Sequence, residues 1–237
     1  QTSIDQPLGL SLGFANNFWA VGSFGGLMME ENGRLSTSQP ALVQLLFWLQ
    51  QAQSELQVTV QENENSLIRA FSNEGLALLI ASSKQLASLE AALGNQLSVA
   101  TLPAGSSGLA TPLLNTSQFL LASNLSSAER ELAFDFALFA SSQANQQQLL
   151  EQTSLIPVNV TVNTETHPLV ASALRQADTG IAWPKTAVVE QIFTAGETMV
   201  SAALSDGDDV ETAVCQFVQQ VNRLNGFDEE IDCSNVN

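Results

Sequence analysis

An α/β fold is predicted for this chain: a mostly parallel sheet covered by helices, with a C-terminal half that is almost wholly helical. Three observations carry the prediction. Residues 76–81 (LALLIA) form a continuous apolar run, as expected of a strand buried on both faces. Short strand-like and helix-like segments alternate through residue 125, an order that builds parallel sheets. From Ser126 onward the periodicity is helical.

The elements follow in order. Leu8, Leu10, Leu12 and Phe14 alternate with Gly and Ser, which is strand period, so a strand is expected over 8–14. Asn16 and Asn17 offer a cap for a buried helix over 18–29. A polar excursion over 30–38 contains Asn32-Gly33, a hairpin-type turn. Ser38 and Pro40 open the next helix, with Leu42, Leu45, Leu46 and Leu49 as its apolar stripe. A short strand is expected at 58–60 and a short helix at 66–71. The run at 76–81 is predicted to be the central strand, followed by a helix over 84–93 that Gly94 ends. Further strands are expected at 97–101 and 119–122. Ser126 and Glu129 fit a capping box for a helix reaching Ser141. Helices over 145–152, 169–177, 184–204 and 210–224 complete the series, with an extended stretch at 154–163. The expected organisation is one domain over 1–237: an α/β lobe (1–125), a helical part (126–227) and an acidic tail (228–237).

Composition narrows the function. The 237 residues carry 7 Lys and Arg against 24 Asp and Glu, a net charge of −17. Such a surface repels nucleic acid and anionic membranes, so neither is expected as a partner. Charged residues are only 13% and hydrophobic ones 45%, a globular balance with uncharged polar residues on the surface. No apolar run is long enough to span a bilayer. Gln1 is an unusual natural start, and a mature product or an excised fragment is expected.

Cys215 lies in a helical stretch and Cys233 in the acidic tail. They read either as a disulfide pinning the tail or as one buried and one exposed thiol. The disulfide is expected, because an exposed free thiol in a tail is a liability, and it would place the chain outside the cytoplasm.

Enzymatic chemistry finds no constellation. His167 is the single histidine, so no Ser-His-Asp or Cys-His site can be assembled, and zinc ligands are too few. No phosphate loop or dinucleotide fingerprint is present; Gly105-Ser106-Ser107-Gly108 reads as a surface loop. Asp206, Asp208, Asp209 and Glu211 miss the EF-hand spacing and read as a solvated loop with an aspartate capping the last helix. No metal, no cofactor and no catalysis are expected.

Five local patterns, in order, resemble extracellular solute-binding proteins of ABC importers, in their maltose or oligosaccharide-binding branch. Residues 70–78 (AFSNEGLAL) look like that family's A-F-x-x-G-x-x-A-M signature, and 97–103 (LSVATLP) resemble its next strand. Residues 126–152 resemble its central helix pair, 156–158 (IPV) a following strand, and 209–226 (DVETAVCQFVQQVNRLNG) its closing helix. The resemblance implies a type II periplasmic-binding-protein-like fold, a periplasmic or extracellular location, free or membrane-tethered, a membrane permease as partner and a small sugar as ligand. It also implies two lobes flanking a cleft, of which this chain carries the second lobe and the closing helices. Ligand contacts are then implied at Asn17, Phe18 and Trp19 after the first strand, at Ser82 and Ser83 after the strand ending at Ala81, and at Trp183. Phe18 and Trp19 read equally as helix core. The implied function is an extracytoplasmic carbohydrate-type solute-binding domain; the alternative is a non-binding relative that docks on, or is fused to, a permease.

Overall fold

A computed structural model describes residues 7–26, 38–55, 57–61, 63–183, 188–227 and 233. The chain divides into two compact units, each discontinuous in sequence. The first comprises residues 1–81, 102–114 and 179–237, the second 82–101 and 115–178. The expected boundary at 125 does not coincide with this division, because the chain passes between units four times. Hydropathy periodicity reports local elements and carries no trace of such returns.

The first unit holds the strand pairing among the described residues. β1 (Leu8–Ser11) pairs in parallel with β2 (Val58–Gln61) on one side and β3 (Leu78–Leu79) on the other, giving the order β2-β1-β3. Leu8 faces Val58 across one ladder and Leu78 across the other. A second parallel pair joins β4 (Leu113–Leu114) to β5 (Ile181–Ala182). Between β1 and β2 run α1 (Phe14–Asn17), α2 (Trp19–Ser23) and α3 (Gln39–Ser54). The Leu42, Leu45, Leu46 and Leu49 stripe of α3 is wholly buried, as its spacing predicts, and Pro40 sits in its first turn. Ser38 precedes α3 without a side-chain cap bond. Then α4 (Glu64–Ser72) returns the chain across β1 to β3. Near the C-terminus α9 (Val189–Ser201) continues into a wide turn over Ala202–Asp206, and α10 (Val210–Leu224) packs on it.

Several expectations are corrected here. The strand expected over 8–14 stops at Ser11, because Phe14 already begins a helix. The run 76–81 is not central: only Leu78–Leu79 forms a strand, at the sheet edge, and Leu78 is 61% exposed. The α4 crossover makes β1 central instead, since it sets β3 on the far side of β1 from β2. Residues 97–101 and 119–122 form no strand, and both lie in the second unit. The Asn32-Gly33 turn and the tail apart from Cys233 lie outside the described residues.

The second unit is helical among its described residues: α5 (Leu86–Leu93), α6 (Ser127–Ser141), α7 (Gln143–Thr153) and α8 (Pro168–Ala177). Gly94 ends α5 with φ +54°, a conformation that favours glycine, as expected of a helix stop. The Ser126–Glu129 capping box forms as the sequence predicts. Leu86, Leu150, Val162 and Val170 make a small core. Gln146 bolts it: its amide donates to the Ala140 carbonyl (2.8 Å), and its side-chain oxygen accepts from the Val158 N–H (3.0 Å). No helix among the described residues is long and apolar enough to cross a membrane.

Candidate functional site

The turn from β1 into α1 gathers most of the sequence-predicted residues in the first unit. Asn17 is fully buried, and its amide donates to the Ser11 carbonyl (2.6 Å) and the Gly13 carbonyl (3.0 Å). It therefore locks the strand-to-helix turn; Asn16 makes a second clasp to the Ser11 hydroxyl (2.8 Å). Two N–H groups that open α1, on Phe14 and Ala15, donate to the two carboxylate oxygens of Glu197 at 2.9 and 3.0 Å. A helix start normally offers such donors to an anionic ligand; here an internal carboxylate already holds them.

Behind the turn lies an aromatic core. Phe14 packs within 5.6–6.0 Å of Phe18, Phe193 and Phe217. Phe18 is 1% exposed and Trp19 is buried edge-on to Trp48. As core residues, Asn17, Phe18 and Trp19 expose little surface. Trp19 Nε1 and Asn17 Oδ1 are buried with no hydrogen-bond partner among the described residues.

Trp183 stands apart. It stacks on Phe193 with centroids 4.8 Å apart and planes 26° from parallel, and it is half-buried. One face is thus spoken for and part of the ring remains accessible. Of the sequence-predicted rings it is the one that is not buried. Ser82 and Ser83 are exposed and belong to the second unit, where the Ser82 hydroxyl caps a short turn by accepting from the Lys84 N–H (3.3 Å).

Sequence reasoning missed Glu197 and Phe193, both on α9. Their signal is faint: Gly196, between them and beside the glutamate, marks the close approach of α9 to the Phe14 ring.

The remaining candidates are structural. Cys215 and Cys233 are joined by a disulfide, with Cα atoms 5.6 Å apart. Asp209 caps α10 by accepting from the Thr212 N–H (3.1 Å) and hydroxyl (3.2 Å). His167 precedes α8, and its Nδ1 meets the Thr166 hydroxyl (3.0 Å). Among the described residues no group of His, Cys, Asp and Glu is placed to hold a metal ion.

Comparisons agree with this arrangement. The fold is similar to the maltose/maltodextrin-binding domain of Bdellovibrio bacteriovorus bound to maltotriose, with a TM-score of 0.77 and 16% identity over 95% of this chain and 62% of that one. It is similar to a maltose-bound protein of T. maritima, with a TM-score of 0.74 and 18% identity over 92% of this chain and 61% of that one. A protein of Mycobacterium tuberculosis in complex with glycerophosphocholine matches with a TM-score of 0.68 and 18% identity, over 94% and 59%. The chain thus spans about three-fifths of the length of these solved structures. The first two are type II periplasmic binding proteins, the fold class that the sequence predicts. No curated protein matches. Residues 11–182, most of the chain, match the family of bacterial extracellular solute-binding proteins, and the chain belongs to that family.

Proposed function

We propose that this chain is the greater part of the ligand-binding component of an ABC importer of the carbohydrate type, working outside the cytoplasm and delivering a small sugar to a membrane permease. The observation that carries the reading is the continuous family match over 11–182, joined to a fold shared with maltodextrin-binding proteins along nearly the whole chain. A half-buried tryptophan stacked on a phenylalanine suits a sugar, whose C–H face stacks on a π face while its rim hydrogen-bonds.

A second reading has its own observation. Asn17, Phe18 and Trp19 are buried and the N–H donors of α1 are taken by Glu197. That favours a module that docks on a permease without holding a solute.

Thermal unfolding of the gene product carrying this chain decides between them, with maltose-type oligosaccharides, acarbose and glycerophosphocholine added separately. A concentration-dependent rise with an oligosaccharide alone supports the carbohydrate reading. A rise with glycerophosphocholine alone overturns the ligand class. No rise with any ligand favours the docking module.

A further inference from the structure

A carboxylate stands beside the aromatic pair of the first unit. Glu197 is exposed and lies four residues along α9 from Phe193, so the two are neighbours on one helix face. Phe193 is buried and carries Trp183 stacked on its ring at 4.8 Å. Phe14 closes the arrangement: its N–H donates to Glu197 Oε2 (2.9 Å), and its ring packs 5.6 Å from that of Phe193. Glu197 is thus tied to Phe14 and Trp183 to Phe193, and the two phenylalanines pack together.

The hydrogen bonds of this carboxylate limit what it can do. The N–H groups of Phe14 and Ala15 take one oxygen each, at 2.9 and 3.0 Å. An ionised carboxylate has about four acceptor sites and no donor, so each oxygen can accept once more. The two bonds also hold the group in place, which spares a ligand the cost of ordering it. Among the described residues it pairs with no Lys or Arg. Open N–H groups at a helix start would draw an acidic ligand group, but here they are taken. The whole chain adds a field of the same sign: 24 Asp and Glu against 7 Lys and Arg, a net charge of −17, concentrates cations and repels anions.

We infer that Glu197 selects the ligand by charge: the solute that stacks on Trp183 is a sugar bearing a protonated amine, and acidic sugars are excluded. An ammonium group donates to the remaining lone pairs of the carboxylate and adds a charge attraction that a hydroxyl lacks. It also meets the π face of a tryptophan favourably. A uronic carboxylate or a sugar phosphate instead brings acceptors to an acceptor and like charge to like charge. The inference rests on the carbohydrate reading above and adds to it the charge class of the sugar.

Ligand-observed NMR titration of the gene product carrying this chain tests it, at about pH 6, where an alkyl amine is protonated. Three probes share one scaffold: maltotriose, its analogue with an amine in place of the C6 hydroxyl on every ring, and its analogue with a carboxylate there. The amine analogue binds about fivefold or more tighter than maltotriose, as one added ion pair allows, and the carboxylate analogue binds more weakly than either. The gap narrows as salt rises from about 0.01 to about 1 M. In Glu197→Gln, which keeps an acceptor oxygen for α1, the amine loses its advantage over maltotriose. In Glu64→Gln, the same charge change elsewhere in the first unit, the advantage stays. An amine analogue no tighter than maltotriose overturns the inference and leaves the carbohydrate reading standing. An advantage that survives in Glu197→Gln, or falls equally in Glu64→Gln, also overturns it, since net charge and not Glu197 then selects. Binding of none of the three probes overturns the carbohydrate reading and this inference with it.

Discussion

Glu197 caps a helix that is not its own. Its carboxylate reaches from α9 to the first two N–H groups of α1, where residues 11–13 provide no side-chain cap. Glu197→Ala leaves both donors without this partner and is expected to cost about 1–2 kcal/mol, the usual loss for a helix cap. Glu197→Gln, which keeps one acceptor oxygen, loses less. Urea unfolding of the two variants checks the order, and an Ala variant as stable as the parent would refute the capping role. The neighbouring Gly196 sets two effects against each other. Alanine improves helix propensity by about 1 kcal/mol, but its Cβ would overlap the Phe14 ring, which is pinned among Phe18, Phe193 and Phe217. Overpacking costs about 1–3 kcal/mol, so Gly196→Ala is expected to destabilise; a raised urea midpoint would show that the ring gives way. Neither role is legible in the sequence, because both depend on a partner some 180 residues away. Asn17 shows the converse: its position after the first strand is legible, but the carbonyls it holds are not.

Elements divide along the same line. The boundaries of α10 are those the sequence predicts, because its amphipathic stripe is long and Asp209 supplies a real cap. The run at 76–81 misleads because apolar composition fixes neither burial nor position in a sheet: Leu76 is buried, yet Leu78 lies exposed in an edge strand. The disulfide belongs to this scale, since it ties α10 to the tail across a separation of 18 residues. In the chain-entropy account such a link contributes about 3 kcal/mol. Reduction, or Cys233→Ser, is expected to lower the thermal midpoint accordingly. Thiol titration of the denatured, unreduced protein should find no free thiol, and two free thiols would remove the basis of this prediction. The α6 cap carries a pH dependence. The Ser126 hydroxyl, and then its backbone N–H, hold the Glu129 carboxyl below the ordinary glutamate range. A carboxyl depressed in the folded state contributes stability above its unfolded pKa and loses it as pH falls through the folded one. An NMR titration should place the Glu129 transition below that of a free glutamate, and Ser126→Ala should raise it; an unchanged midpoint in that variant would disprove the cap as its cause.

At the scale of the whole molecule, the alternation of strands and helices makes an α/β fold legible, and the order of five weak local patterns makes the family legible. The discontinuous division into two units is not, since it depends on where the chain returns. Of the contacts the resemblance implies, Asn17, Phe18 and Trp19 are enclosed in the core of the first unit, and Ser82 and Ser83 belong to the second. Trp183 remains, half-buried and stacked on Phe193. One stacked ring contributes on the order of 0.5–1.5 kcal/mol beyond area burial. A micromolar complex needs about −8 kcal/mol and a millimolar one about −4, so a single open ring with few convergent polar groups falls toward the weaker end. The 237-residue chain is therefore expected to bind maltose-type oligosaccharides with millimolar affinity or not at all. Isothermal titration against mono- and oligosaccharides measures this, with Trp183→Ala and Trp183→Phe beside the parent. The phenylalanine variant keeps a ring against Phe193, which separates loss of a ligand platform from loss of packing. A low-micromolar dissociation constant for any sugar, abolished in the alanine variant while its fold persists, would mean that a complete site exists within this chain and that Trp183 is its floor.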